Sequence, residues 1–342
     1  MGLIVRMKKI LFRADAKPSI GIGDLMSLIH LSEYFRKDGW QTHFIIRGYE
    51  AAINLVQKYE VKNTHIISAD IDVETEVQQI NYFCDKLSVD VLFFEISERK
   101  LSEYVGLSKK CIKIAASFDG FLPDGISLIL NWAPSASDMF NDNVYSNAEK
   151  LLGMEYVILP YRFLNDPRIK QRIYSKAPNK ILISMGGADE FDFTSRVLMS
   201  LSRFGNNLDI RVVVGSGYLF LEELRRFISK IKLKCEIFHN VTNMLEFYLW
   251  CDIGIGAGGL TSSELVATRT PSILIAMYEH QIERCEEYDR MGLASFLGYR
   301  DFDATKFASL IKRPVIPAVA FEFKTQAIVD RVDALIQKDN RL

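Results

Sequence analysis

The feature that most constrains this chain is a rhythm: short β-rich runs at residues 9–13, 42–47, 65–68, 89–94, 112–115 and 126–131 alternate with amphipathic stretches. Strands spaced by helical patterns cannot pair as hairpins, so they imply βαβ units and parallel sheets. The rhythm breaks at W-A-P-S-A-S-D-M-F-N-D-N-V-Y-S-N-A-E-K, residues 132–150, whose Ser, Asn, Asp and Pro content reads as loop. It resumes with runs at 180–185, 209–214, 235–239, 253–256 and 272–277. Two Rossmann-like α/β halves follow, one over residues 1–162 and one over 163–342. A closing helix is predicted over 323–338, where Ile328, Val329, Val332, Leu335 and Ile336 recur at helical spacing. Such a stripe would let it pack back on the N-terminal domain.

Composition supports two full cores: 342 residues, 49% of them hydrophobic and 25% charged, exclude disorder, collagen-like repetition and a disulfide scaffold. Its 42 basic residues nearly balance 43 acidic ones, leaving a formal charge of −1. No strong field therefore draws it to nucleic acid or an anionic membrane, and a small-molecule ligand is expected. Cys84, Cys111, Cys235, Cys251 and Cys285 are scattered, with no C-x-x-C pair, which suits a reducing compartment and neither disulfides nor zinc. In M-G-L-I-V-R-M-K-K-I-L-F-R-A-D-A the run Ile10-Leu11-Phe12 is too short for a leader or membrane span, so the chain reads as cytoplasmic. Arg6 stands where myristoylation after Met1-Gly2 would want Ser or Thr.

Three glycine turns carry the chemistry. The first, R-A-D-A-K-P-S-I-G-I-G-D at 13–24, follows the first predicted strand and precedes a helix. Gly21 and Gly23 would let backbone approach a ligand, while the helix start offers unpaired N–H groups. It lacks the third glycine of a dinucleotide fingerprint, and a tight turn with Asp24 as helix cap would explain it structurally. The second turn, Ser184-Met185-Gly186-Gly187-Ala188-Asp189, holds the equivalent place in the second half. The third, C-D-I-G-I-G-A-G-G-L-T-S-S-E-L at 251–265, is the densest. Four glycines in six residues between strand and helix suit backbone amides that reach phosphate, and Glu264 stands one turn in, where a carboxylate can accept ribose hydroxyls.

The block G-A-G-G-L-T-S-S-E, then T-P-S-I-L-I and His280-Gln281, resembles the nucleotide-binding half of MurG-type GT-B glycosyltransferases. The whole chain more nearly resembles the PseG/SpsG family of UDP-sugar hydrolases, acting in pseudaminic acid synthesis, and their spore-coat relatives. That likeness rests on F-R-A-D-A-K-P-S-I-G-I-G at 12–23, L-L-G-M-E-Y-V-I-L-P-Y-R-F at 151–163, I-S-M-G-G-A-D at 183–189 and residues 244–281. It implies a GT-B fold, two Rossmann-like domains whose parallel sheets face across a cleft, with UDP on the C-terminal half and the sugar on the N-terminal half. Gly186 and Gly187, with Gly256, Gly258, Gly259, Thr261 and Ser262, would surround the pyrophosphate, Glu264 would bind ribose, and His280 and Gln281 would lie near the sugar. Arg13, Asp15, Gly21 and Gly23 would serve the sugar side. Neither cofactor nor metal is implied, since amides and a helix dipole offset the leaving charge.

Departures from the family pattern fall at the reaction centre. The turn that normally ends in G-x-G-His ends here in Asp24, and where Asp-x-Tyr is usual the chain has Glu95-Ile96-Ser97. Asp24 and Glu95 become the candidate catalytic groups. Lipopolysaccharide heptosyltransferases resemble this arrangement in carrying Gly-Asp at the turn. The expectation is a nucleotide-sugar enzyme of surface-glycan or nonulosonic-acid synthesis that cleaves the glycosyl–phosphate bond of a UDP-activated amino sugar with water. Its rivals are an inverting glycosyltransferase with Asp24 as base on an acceptor hydroxyl, and a non-catalytic UDP-sugar binder associated peripherally with glycosylation machinery.

Other residues are weighed as structural. Asp70-Ile71-Asp72 copies a metal-binding D-x-D but in the wrong half; His30 faces away from Asp24 along the helix; His43, His65 and His239 sit in or beside strands. Tyr248 and Trp250 read as core packing, and Trp132 as packing or a sugar-stacking ring.

Overall fold

A computed structural model of the protein describes residues 6–17, 21–96, 99–118, 120–140, 145–204, 207–230, 233–300 and 302–339. Met1-Gly2, Ser97 and the Pro18-Ser19-Ile20 part of the first glycine turn lie outside them. The chain divides into two compact units, Met1–Tyr161 with Phe323–Leu342, and Arg162–Glu322.

The first unit is built on seven parallel strands: β1 (Lys9–Arg13), β2 (Gln41–Arg47), β3 (Thr64–Ile67), β4 (Val91–Glu95), β5 (Ile112–Ala116), β6 (Leu128–Asn131) and β7 (Glu149–Leu152). Their order is β3-β2-β1-β4-β5-β6-β7. In the second unit six more run parallel in the order β10-β9-β8-β11-β12-β13, namely β8 (Lys180–Ser184), β9 (Asp209–Val214), β10 (Lys234–His239), β11 (Ile253–Ala257), β12 (Ser272–Ala276) and β13 (Ser295–Tyr299). Central strands are buried on both faces, which is why β4 and β12 read as unbroken apolar runs. Sequence patterning misses β7 and β13. The former is Glu-Lys-Leu-Leu, a half-buried edge strand next to turn residues, and the latter contains Gly298 beside a register shift opposite Leu274/Ile275.

The helix Thr325–Asp339 belongs to the first unit. Ile328, Val329 and Val332 are fully buried, and the Thr325 hydroxyl donates to the Val157 carbonyl at 3.0 Å.

Each sheet reverses its strand order once, between β1 and β4 and between β8 and β11. In open α/β sheets ligands bind outside the carboxyl ends of the strands at such points, because the connections there depart in opposite directions and leave a crevice. The glycine turns follow β1, β8 and β11, so the topology of each unit puts them at its own reversal point.

Away from these points, His43 on β2 and His65 on β3 stack with ring centroids 5.8 Å apart. Neither ring nitrogen of His43, nor Nε2 of His65, has a hydrogen-bond partner among the described residues. Burial first, then the neighbouring charges, lowers both pKa values below 6.5. The unfolded chain therefore binds more protons once pH falls below 6.5, so the stability these neutral rings allow is complete above that value and is lost on acidification through the folded-state pKa values. Melting temperature is expected to drop between pH 7 and pH 5, and less steeply in His43→Phe. An equal slope in both proteins would remove the histidine pair as its cause.

Candidate functional site

In the second unit the helix Leu260–Ala267 starts directly behind the turn after β11. Gly259 caps it without a side chain, no acidic residue stands in its first turn, and the amides of Gly259, Leu260 and Thr261 meet no acceptor among the described residues. Amides left open at the positive end of a helix suit an anion. The glycines below it act differently from one another. Gly256 lies inside β11, where a Cβ would stand 2.9 Å from Leu265 Cδ1 and 3.0 Å from Thr261 Cγ2. Its small size lets the helix lie on the strand. At Gly258 a Cβ would overlap Cys285 Sγ and approach Gln281 Cβ to 3.0 Å, and its amide is taken by the Ile275 carbonyl at 2.9 Å. Gly258 shapes the turn and Gly259 supplies the open amide.

Ser262 spends its side chain on the same turn. It is fully buried and its hydroxyl donates back to the Gly259 carbonyl at 2.7 Å, pinning the turn. Gln281, 7% exposed, accepts the Met277 amide on Oε1 at 2.9 Å, which aims Nε2 at Gly259. His280 is exposed and stacks on Tyr278, ring centroids 5.7 Å apart, beside this turn.

Glu264, half-buried in the helix, accepts the Tyr248 hydroxyl on Oε2 at 2.5 Å. Tyr248 itself is fully buried and meets Phe163 edge-on, so it is more than the packing residue its surroundings in the sequence suggest. Burial raises the Glu264 pKa, opposed by the Tyr248 hydrogen bond and the Arg162 charge. Oε1 accepts no hydrogen bond among the described residues, leaving an acceptor for a ligand hydroxyl.

The turn after β8 is organised otherwise. Gly186 adopts φ +83°, and the Gly187 carbonyl accepts the Gly217 amide at 3.1 Å. A Cβ on Gly215 would overlap the Gly187 backbone. The Gly215-Ser216-Gly217 turn after β9 thus supports Gly186-Gly187; G-S-G directly after a strand is the signal in the sequence that marks it. Two carboxylates then fill the start of the helix Phe193–Leu201: Asp189 accepts the Phe193 and Thr194 amides at 2.9 and 2.8 Å, and Asp192 accepts the Ser195 amide and the Tyr218 hydroxyl. A ligand anion gains nothing from a helix end already neutralised by the chain's own side chains. Any role for Gly186 and Gly187 rests on their backbone alone.

In the first unit Gly21, at φ +79°, exchanges two backbone hydrogen bonds with Lys17, and no atom lies within 4 Å of a Cβ built on Gly21 or Gly23. Asp24 stands half-buried in the first turn of the helix Gly23–Lys37. Glu95 ends β4, across the strand reversal from β1, and is 3% exposed with Oε2 unpartnered among the described residues. Burial, reinforced by the Asp24 charge, pushes its pKa well above the ordinary carboxylate value, which favours its protonated form beside a second carboxyl group.

Arg13 and Asp15 are corrected from the sugar side to the interior. They are 0% and 1% exposed. Arg13 donates to Asp15 Oδ2 and Glu76 Oε1, both at 2.6 Å, and Asp15 Oδ1 accepts the Arg47 amide at 2.9 Å. Glu76 also pairs with Arg47 and with Arg99 at 3.1 Å. This network ties the ends of β1 and β2 and so fixes the start of the glycine turn. Asp72 of the D-x-D caps the helix Val73–Leu87 through the Thr75 amide at 2.8 Å. No group of three or more His, Cys, Asp or Glu among the described residues is arranged to hold a metal. Trp132 is buried edge-on against Phe118. No helix among the described residues is long and apolar enough to cross a membrane.

Two Rossmann-like units with one reversal each define the GT-B fold, and solved structures agree. Acinetobacter baumannii MurG superposes with TM-score 0.67 over 96% of this chain and 99% of that one, at 14% identity. A UDP-GlcNAc 2-epimerase from Methanocaldococcus jannaschii does so with TM-score 0.61 over 95% and 99%, at 12% identity. Residues 181–327 match the glycosyltransferase family 28 C-terminal domain, so the second unit is glycosyltransferase-like. Among curated proteins, an uncharacterized M. jannaschii protein is 25% identical over 82% of this chain and 57% of its own length. The Coxiella burnetii UDP-N-acetylglucosamine--N-acetylmuramyl-(pentapeptide) pyrophosphoryl-undecaprenol N-acetylglucosamine transferase is 24% identical over 38% of each. The chain thus matches about half, or less, of the length of these curated relatives.

Proposed function

We propose that this protein is a glycosyl-transferring enzyme that uses a UDP-sugar as donor and a hydroxyl as acceptor. The observation that carries the reading is the start of the helix Leu260–Ala267, three amides without acceptors among the described residues, one turn from the Glu264 carboxylate. A diphosphate fits the amides and a ribose fits the carboxylate. The family 28 match over this unit and the transferase named among the relatives support the same donor.

In this reading Gly186, Gly187, Gly259 and Thr261 line the diphosphate, Gln281 Nε2 serves the β-phosphate or sugar, and His280 the sugar. Asp24 accepts the proton of the attacking hydroxyl as its oxygen bonds to the anomeric carbon. The bond from that carbon to the β-phosphate oxygen breaks, and its electron pair leaves with UDP. Burial and the Asp24 charge favour the protonated form of Glu95, which in that form offers a hydrogen-bond donor beside Asp24.

Water as acceptor is the second reading, favoured by the resemblance of residues 12–23 and 151–189 to the UDP-sugar hydrolases. Incubation with UDP-activated amino sugars separates the two. Release of UDP only with an acceptor supports transfer, release without one supports hydrolysis, and binding without release leaves a nucleotide-sugar binder. Glu264→Ala is expected to weaken UDP binding by roughly 1–3 kcal/mol through loss of charged hydrogen bonds, read by calorimetry; unchanged affinity would refute the ribose assignment.

A further inference from the structure

We infer that Tyr248 is a positioning residue that makes the nucleotide site selective for ribose over 2′-deoxyribose. The inference rests on the UDP reading above and deepens it. A carboxylate at the edge of a nucleotide site can rotate about its terminal torsion and present either oxygen, or neither, to a sugar. At Glu264 that freedom is removed: Oε2 is held by the Tyr248 hydroxyl at 2.5 Å. The hydroxyl cannot wander, because Tyr248 is fully buried and its ring is set edge-on to Phe163 at 5.7 Å and 85°. Its backbone is fixed as well, since the Tyr248 carbonyl accepts from Arg172 Nη1 at 2.7 Å. Oε1 is the oxygen left to a ligand.

The consequence is one of discrimination rather than affinity alone. A pre-aimed oxygen accepts a vicinal ribose diol in a fixed geometry, and an analogue lacking one hydroxyl leaves part of that acceptor unpaired. Sites built to bond a hydroxyl reject its absence far better than apolar pockets reject an extra group. Tyr248 reaches no ligand in this account; it acts through Glu264. Because the donor to Oε2 comes from the helix Leu245–Trp250, which is separate from the helix carrying Glu264, the two elements must pack correctly before the selectivity exists.

Titration calorimetry with UDP and 2′-deoxy-UDP tests it. The wild-type protein is expected to prefer UDP about tenfold, the scale of one charged hydrogen bond. Tyr248→Phe keeps the ring and its contact with Phe163, and should bring the ratio of the two dissociation constants close to unity. A general loosening would weaken both ligands equally and keep the ratio. A retained tenfold preference in Tyr248→Phe overturns the inference while leaving the UDP reading intact, whereas failure of the wild type to bind UDP overturns that reading itself. Should Tyr248→Phe not fold, Phe163→Leu removes the ring that sets Tyr248 edge-on while leaving Glu264 and the hydroxyl in the chain. A reduced preference there supports the inference, and an unchanged tenfold preference overturns it.

Discussion

Replacing Glu76 by alanine should remove roughly 3–5 kcal/mol of stability, the scale for deleting one partner of a buried ion pair. Glu76 is fully buried and receives Arg13, Arg47 and Arg99, so its loss takes a shared carboxylate from three guanidinium groups, two of which, Arg13 and Arg47, keep Asp15. These cations cannot escape by losing a proton, because guanidinium stays charged at any accessible pH. Against a typical total of about 5–15 kcal/mol the loss is large enough to unfold a substantial fraction of molecules at 37 °C. Urea unfolding followed by far-UV circular dichroism measures it. Glu76→Gln, which keeps volume and one acceptor oxygen, should cost less. A shift below about 1 kcal/mol for the alanine variant would mean that water repairs the network, contrary to the burial of every group but Arg99.

Asp24→Asn carries the largest expected effect on activity, a fall in turnover of about 10²–10⁴-fold, the usual contribution of a positioned general base. The amide preserves shape and the first-turn position but cannot accept a proton, so UDP affinity should stay within about twofold. Burial is the larger cause of the raised Glu95 pKa and the Asp24 charge adds to it, so removing that charge should move the Glu95 pKa down towards its ordinary value. The two changes are measured separately, by steady-state UDP release and by carboxyl titration followed with carbon NMR. Normal turnover in Asp24→Asn would eliminate it as the base. Asp24→His tests the second reading, in which the acceptor is water; UDP release into water gained by that variant would identify position 24 as what separates the two acceptors.

Much of the fold was legible in the sequence because the signals are local. Alternating apolar runs and glycine turns depend on backbone conformation and solvent exposure within a few residues, so eleven of the thirteen strands among the described residues could be read directly. Edge strands β7 and β13 escaped because edge strands need less apolar surface and tolerate glycine and charge. At the site, Glu264 and Asp24 stood out by their places in glycine turns, whereas Tyr248 lies 16 residues before Glu264 and Glu76 lies 63 after Arg13. Nothing near Tyr248 or Glu76 in the chain indicates those partners.

Arg13 and Asp15 show the same limit from the other side. Sequence places them beside a glycine turn, where charged residues usually face a ligand, yet the structure spends both in the interior. The Ser262 hydroxyl and the Asp189 carboxylate likewise turn to the backbone. Whether a polar group meets a ligand or its own chain depends on which acceptor or donor packing brings within about 3 Å.

By itself, then, the sequence determined the class of each unit, the order of strand and helix, and the turns where backbone must come close, since these follow from periodicity and from glycine's missing side chain. Only the tertiary structure decided which helix start remains open to an anion, which carboxylates are consumed inside, and which hydroxyl aims Glu264. Those outcomes are contacts between residues far apart in the chain, and hydrogen bonds of that kind are set by packing geometry that no local pattern encodes.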